Sequence, residues 1–225
     1  MSRRRDNPYA KPDPVTLKAR KEGYPARSVY KLEEIDKRCK IFKGGQHVLD
    51  LGAAPGSWSL YASRKISANG RLVAVDLTEI TQAFPSNVTV HQGDALVPSG
   101  AVESRAPYDV IISDMAPRTS GDRFRDQLYS YQLVVGSLQM AARYGKPGSS
   151  FIAKIFMSNE FSKAKKQVIA SYDTVRVVKP QASRSNSWEV FLVGLGLKQS
   201  AHDAAQIEPI VIEEPCATSD SSSED

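Results

Sequence analysis

The sequence predicts an α/β protein built on a doubly wound, nucleotide-binding sheet, and two adjoining stretches carry that prediction. Val48-Leu49-Asp50-Leu51 is an apolar strand that runs into the turn Gly52-Ala53-Ala54-Pro55-Gly56. A segment with helical spacing (Leu60, Tyr61, Ile66) follows, which completes the first β-loop-α unit of such a sheet. The next strand, Leu72-Val73-Ala74-Val75, follows an Asn69-Gly70 turn and ends in Asp76. An acid about 20 residues past the glycine turn accepts hydrogen bonds from ribose hydroxyls. That arrangement alone serves NAD or S-adenosylmethionine. The G-x-G-x-x-G spacing that sets a helix N-terminus against a pyrophosphate is absent, so a nucleoside-type cofactor without phosphates fits better.

A chain of 225 residues, 41% of them hydrophobic, suffices for one α/β domain with a full core. No apolar run approaches the ~18 residues of a membrane span, and the N-terminus has no apolar signal segment, so a cytoplasmic protein with no membrane partner is expected. Cys39 and Cys216 form no metal-ligand spacing, and no metal is expected. All 30 lysines and arginines fall at or before Lys198, whereas seven of the 25 acids follow it. The body is therefore much more basic than the net charge of +5 suggests, which points to a polyanionic partner such as nucleic acid.

Three segments follow from this distribution. Residues 1–27 form a basic arm (Arg3, Arg4, Arg5, Lys11, Lys18, Arg20, Lys21, Arg27) with Tyr9 and Tyr24 interleaved. Pro8, Pro12, Pro14 and Pro25 should interrupt any helix in it, and the arm should order fully on binding RNA. Residues 28–198 form the folded domain. Residues 199–225 turn acidic and then Ser-rich, and are expected to be disordered.

Within the domain, Val29, Leu32, Ile35 and Cys39 recur with helical period, with Ser28 as N-cap and Lys31 in the first turn. Asn87–Gln92 reads as a third strand ending near Asp94, an acid placed to bond an adenine amine; His91, without a partner at ligand spacing, is read as non-catalytic. Tyr108–Ser113 is a fourth strand that delivers Asp114 to the sheet edge, where a doubly wound fold opens its ligand crevice. Phe124, Leu128, Tyr131, Val135, Leu138 and Ala142 predict a long helix whose apolar stripe is core. The loop before it, Arg118 to Asp122 with Arg123 and Arg125 following, is a candidate substrate contact. The fifth strand, Ser149–Phe156, is apolar except for Lys154, and an unpaired buried ammonium is costly, so Lys154 belongs at the crevice with a partner. A sixth strand (Thr174–Val178), a basic loop (Lys179–Ser187) suited to phosphate contacts, and a seventh strand beginning near Glu189 complete the domain.

The motifs Ser28-Val29-Tyr30-Lys31-Leu32, Asp50-Leu51-Gly52-Ala53-Ala54-Pro55-Gly56-x-Trp58, Ser113-Asp114-Met115-Ala116-Pro117, Lys154-Ile155-Phe156 and Arg184-Ser185-x-Ser187-x-Glu189 together resemble the FtsJ/RrmJ family of RNA 2′-O-ribose methyltransferases. The resemblance runs over about residues 5–197. It implies a Rossmann-like class I methyltransferase: a seven-stranded, mostly parallel sheet with the last strand antiparallel and helices on both faces. It further implies S-adenosylmethionine as cofactor, held by Gly56, Trp58, Asp76, Asp94 and Asp114, and a catalytic tetrad of Lys31, Asp114, Lys154 and Glu189. Where the family commonly has a second glycine after Pro-Gly, this chain has Ser57, which fits only if the position does not need positive φ.

Within the family the chain looks most like the bacterial enzyme that methylates a uridine in the A loop of 23S ribosomal RNA, so ribosomal RNA or the 50S particle is the expected partner of a monomer. Two other readings remain at this stage, a 2′-O-methyltransferase of transfer RNA or of the messenger RNA cap, and a non-catalytic RNA-binding assembly factor. An intact tetrad speaks against the second, which has no chemical need for all four residues. Methyl transfer from a sulfonium to a hydroxyl must hold three atoms in line and remove a proton. Lys154 is the candidate to accept or steer that proton.

Overall fold

Seven strands form one sheet in the computed structural model: β1 (His47–Leu51), β2 (Arg71–Asp76), β3 (Val88–Gln92), β4 (Tyr108–Ser113), β5 (Gly145–Phe156), β6 (Tyr172–Val178) and β7 (Glu189–Leu197). The structure describes residues 13–117, 120–184 and 187–207, without the side chain of Ile207. Strand order is β3-β2-β1-β4-β5-β7-β6. β1 through β5 pair in parallel, while β7 runs antiparallel to both its neighbours, β5 and β6. The chain moves outward from β1 to β3 and then returns to lay β4 against the other side of β1. That reversal opens a crevice beyond the carboxyl ends of β1 and β4, as in other open α/β sheets.

Successive residues on a strand face opposite sides of the sheet, and here they feed two cores. One contains Val48, Leu72, Val110, Ile152 and Phe191, covered by α1 (Pro14–Lys21), α2 (Val29–Cys39) and α3 (Ser57–Ile66). The other contains Leu49, Val73, Ile111, Phe151 and Leu192, covered by α4 (Gly100–Glu103), α5 (Arg123–Tyr144) and α6 (Phe161–Ser171), with α7 (Gln199–Ile207) packed against α5 and α6. Burial on both faces explains why the central strands read as nearly continuous apolar runs.

Four expectations require correction. The acidic segment does not begin as disordered chain at residue 199, because α7 docks there: Ala201 packs against the second core, the His202 ring lies 3.1 Å from the Ala142 carbonyl, and Gln206 donates to the Arg143 carbonyl. Residues 208–225 of that expectation lie outside the described residues.

The prolines of the arm do not exclude a helix. Pro14 occupies the first turn of α1, where a missing N–H costs nothing, and Asp13 caps it by accepting from the Val15 and Thr16 amides. Residues 13–27 are thus part of the fold: Arg27 joins Asp13 at 2.9 Å to the Ala182 carbonyl at 2.8 Å. Arg3, Arg4, Arg5, Tyr9 and Lys11 fall outside the described residues, as do Arg118 in the loop before α5 and Ser185 in that before β7.

Ser28 precedes α2, but its side chain makes no capping bond. The stripe on α5 is core only from its middle onward. Leu138 and Ala142 are buried, whereas Phe124 is 72% exposed and Leu128 38% exposed, because the first two turns of α5 project past the sheet's edge.

Because α7 covers the α5–α6 face, deleting residues 199–225 is expected to lower stability by about 1–3 kcal/mol, roughly 2–10 °C in melting temperature. Thermal unfolding followed by circular dichroism checks this, and an unchanged midpoint would show that the docked helix contributes nothing.

Candidate active site

The carboxyl edge of the sheet collects nearly every polar residue singled out in the sequence. Side-chain alternation on β5 sends Ile152 into the α2–α3 core and Ala153 and Ile155 into the opposite one, so Lys154 faces α2. The same logic on β7, with Val190 and Phe191 on opposite sides, puts Glu189 on the face of Lys154. Lys154 is paired across the ladder with Phe191 and Phe156 with Glu189, so the two charged residues are diagonal neighbours on adjoining antiparallel strands.

Two ion pairs result. Lys154, with 9% of its side chain exposed, lies 2.9 Å from Asp114 Oδ1 and also donates to the Asp114 backbone carbonyl. Lys31, in the first turn of α2, lies 2.5 Å from Glu189 Oε1, and the Ser183 hydroxyl donates to the same oxygen at 2.8 Å. Burial alone would push the Glu189 carboxyl up. The Lys31 charge and hydrogen bond, the Ser183 hydroxyl and the Lys154 charge outweigh burial and hold Glu189 below its usual value. The four charges therefore form one compact group at the head of β4, β5 and β7.

Beside this group, beyond the ends of β1, β2 and β4, a cleft of about 450 Å³ is lined by Gly52, Asp76, Asp94, Asp114, Met115 and Leu133 among others. Gly52 has φ +75°, and a methyl group added to it would sit 2.1 Å from Met115 Cγ, so the turn beside the cleft requires glycine. Asp76 accepts from the Ala54 and Thr78 amides, and Asp94 from the Leu96 amide, which fixes both carboxylates at the rim. Three carboxylates repel phosphate and attract cations. The lining thus fits S-adenosylmethionine, which carries a sulfonium, an ammonium and ribose hydroxyls but no phosphate.

Gly56 and Trp58 stand differently from the three acids. Gly56, at φ +105°, begins α3, and a side chain on it would strike the Phe84 ring at 2.8 Å. The Trp58 indole is buried, packs at 5.6 Å against Phe191 and donates to the Ser28 carbonyl at 2.9 Å. Its side chain faces the core and secures the start of α2, and neither Gly56 nor Trp58 is among the residues that line the cleft. Ser57 is not among the residues with positive φ. Its hydroxyl bonds both the amide and the carbonyl of Ala26, so the serine ties the N-terminal segment to α3.

Asp50 went unremarked in the sequence although it interrupts an apolar strand just as Lys154 does. It is 1% exposed and accepts from the Ser59 hydroxyl at 2.6 Å, and its Oδ1 has no hydrogen-bond partner. Burial pushes its carboxyl up to about 7; the Ser59 bond opposes this and the charges of Asp114 and Asp76 add to it. Among the described residues no group of three or more His, Cys, Asp or Glu is arranged to hold a metal ion, and no helix is long and apolar enough to cross a membrane.

A mostly parallel sheet of seven strands with one antiparallel strand, with an acidic cleft at its carboxyl edge, is the Rossmann-like fold of methyltransferases. Comparison with known proteins narrows this. The chain matches the FtsJ-like methyltransferase family model over residues 24–197, and it belongs to that family of S-adenosylmethionine-dependent methyltransferases. It is 50% identical over 199 residues to the ribosomal RNA large subunit methyltransferase E of Sorangium cellulosum, covering 88% of this chain and 94% of that one. It is 48% identical over 190 residues to the protein of the same name from Oleidesulfovibrio alaskensis, covering 83% and 92%. Among solved structures, a candidate ribosomal RNA methyltransferase from Plasmodium falciparum superposes with a TM-score of 0.68 at 23% identity, over 77% of this chain and 98% of that one.

The raised Asp50 carboxyl gives a pH test. The folded state holds that proton more tightly than the unfolded chain does, so the associated stability is present below about pH 4 and is lost as pH rises through about 7. Asp50→Asn keeps an acceptor for Ser59 and removes the titration. Its stability relative to the parent is therefore expected to improve steadily between pH 4 and 7 and to level off above, as read by urea unfolding at fixed pH. Parallel profiles would contradict the assignment.

Proposed function

We propose that this protein methylates the ribose 2′-hydroxyl of a uridine in the A loop of large-subunit ribosomal RNA. The observation that carries the reading is the pairing of Lys154 with Asp114 and of Lys31 with Glu189, at the rim of a cleft suited to S-adenosylmethionine. The large-subunit assignment is supported by the name of the two bacterial relatives, which match nearly their whole length to this chain. The expected setting is a monomer in the cytoplasm acting on ribosomal RNA or the 50S particle.

The cofactor, held by Asp76, Asp94 and Asp114 at the cleft, supplies a methyl group activated by a positive sulfur. The remaining work belongs to the chain's own side chains. Lys154, paired with the cleft-lining Asp114 and diagonal to Glu189 on the sheet, takes or steers the proton of the entering hydroxyl. To meet the hydroxyl, Lys154 must give up part of its hold on Asp114, the carboxylate that it shares with the cleft. Lys31 and Glu189 bracket the opposite side of the hydroxyl, with the lysine charge set against the RNA backbone and the carboxylate fixing the lysine. Positioning of this kind makes the reacting atoms collinear, the main requirement of a displacement at carbon. The basic residues at 3, 4, 5 and 11 track RNA phosphates.

Lys154→Ala is expected to reduce methyl transfer by at least about 100-fold, the lower end of general-base contributions, while cofactor affinity changes by no more than a few fold. Transfer of labelled methyl to ribosomal RNA, paired with calorimetric titration of the cofactor, checks both. Equal loss of binding and activity would contradict the role given to Lys154. Deleting residues 1–12, which spares the folded Asp13–Arg27 segment, is expected to lower the slope of log affinity for RNA against log salt; an unchanged slope would remove the arm from the interface.

A further inference from the structure

A second recess lies on the same edge, unused by the chemistry above. Trp188 directly precedes Glu189, yet it is 59% exposed, an unusual setting for the largest side chain next to a buried carboxylate. The Arg123 guanidinium sits 4.1 Å from the indole centroid. These two residues line a cleft of about 370 Å³ together with Gln127, Phe156 and Ser187, within the roughly 300–1,000 Å³ range of small-ligand sites. Phe156 joins the cleft to the tetrad, since it is the ladder partner of Glu189 and lies two residues beyond Lys154.

The framework around the recess is fixed. The Trp188 carbonyl accepts from the Met157 amide at 2.8 Å, and Gln127 donates to the Met157 carbonyl at 3.1 Å, which couples α5 to the strand ends. Next in the chain to its lining residues come the exposed apolar side chains Phe124 (72%), Met157 (39%) and Leu128 (38%), with Arg123 and Arg125 also exposed and Asp126 the one acid in the lining. Phe124 and Leu128 are the α5 residues whose spacing reads as core and whose position is solvent. Exposed aromatics flanked by arginines suit a ligand with a flat π-face and a negative backbone, which is an unpaired nucleotide.

We infer that Trp188 and Arg123 form a stacking site for the base of an unpaired nucleotide of the RNA substrate, adjoining the ribose that is methylated. The inference rests on the RNA reading above and deepens it: the substrate must present a single-stranded segment at the site. A duplex of equal charge keeps its bases paired and stacked and cannot offer one to the Trp188 ring.

The test uses the full chain and three probes of equal length: single-stranded oligouridylate, the corresponding abasic strand and an RNA duplex. The chain has two tryptophans, and Trp58 is buried with its N–H bonded, so emission that responds to RNA reports Trp188. Oligouridylate is expected to quench the parent protein and not Trp188→Phe, with the abasic strand and the duplex bound at least about tenfold more weakly. Trp188→Ala is expected to raise the KM for ribosomal RNA by about 5- to 150-fold, the span of one lost base–aromatic stack, with Trp188→Phe within a few fold of the parent and cofactor affinity unchanged in both.

Equal binding of the three probes, or a Trp188→Ala enzyme with unchanged KM, would overturn the stacking site while leaving the methylation reading intact. Base-dependent quenching by a protein that transfers no methyl group to any RNA would do the reverse.

Discussion

A lysine nine-tenths buried at the end of a central strand must have a partner, because an unpaired ammonium there would cost more than the fold can spare. At the head of β5 that demand is met by Asp114, delivered by the neighbouring parallel strand β4. The antiparallel strand β7 is inserted on the other side of β5, which brings its first residue, Glu189, to the same edge as the last residues of β5. A parallel seventh strand would have presented its opposite end. The reversed strand therefore makes the group of four charges possible, and Lys31 from α2 completes it.

Lys31 can reach Glu189 only if the start of α2 stays in place, and three contacts see to that. The Trp58 indole bonds the Ser28 carbonyl, the Ser57 hydroxyl bonds Ala26, and Arg27 bridges Asp13 to the Ala182 carbonyl. Ala182 belongs to the loop before β7, whose Ser183 supports Glu189. The residues that start α3 beside the cofactor cleft thus also anchor the helix carrying Lys31. This is a structural reason why the Gly56-Ser57-Trp58 run matters to both halves of the site, even though the indole itself faces the core.

Much of this was legible in the sequence because it rests on local signals. Apolar runs marked β1, β2, β4, β5 and β7, β-branched residues marked the more exposed β3 and β6, and charged residues within or at the ends of the apolar runs marked Lys154, Asp76 and Asp114. Asp50 carries the same signal, an acid inside an apolar strand, two residues before the glycine turn. What local signals could not reveal was tertiary. The polar residues after Lys198 hide a helix whose few apolar contacts are supplied by α5 and α6, whereas Asp13-Pro14 is a local helix-start signal that the density of prolines around it masks. The periodic stripe from Phe124 to Ala142 falls within α5, but periodicity does not tell where the sheet beneath a helix ends, so Phe124 and Leu128 read as core and are exposed.

Under the function proposed above, the charged group at the strand ends directs methyl transfer to a ribose hydroxyl of large-subunit RNA. The most direct measurement supplies labelled S-adenosylmethionine with 50S subunits, free ribosomal RNA and transfer RNA in parallel, then digests each to nucleosides and identifies the labelled product by mass spectrometry. The account predicts a single 2′-O-methyluridine mapping to the A loop of the large-subunit RNA. Label on a base instead of a ribose, or on transfer RNA alone, would contradict it.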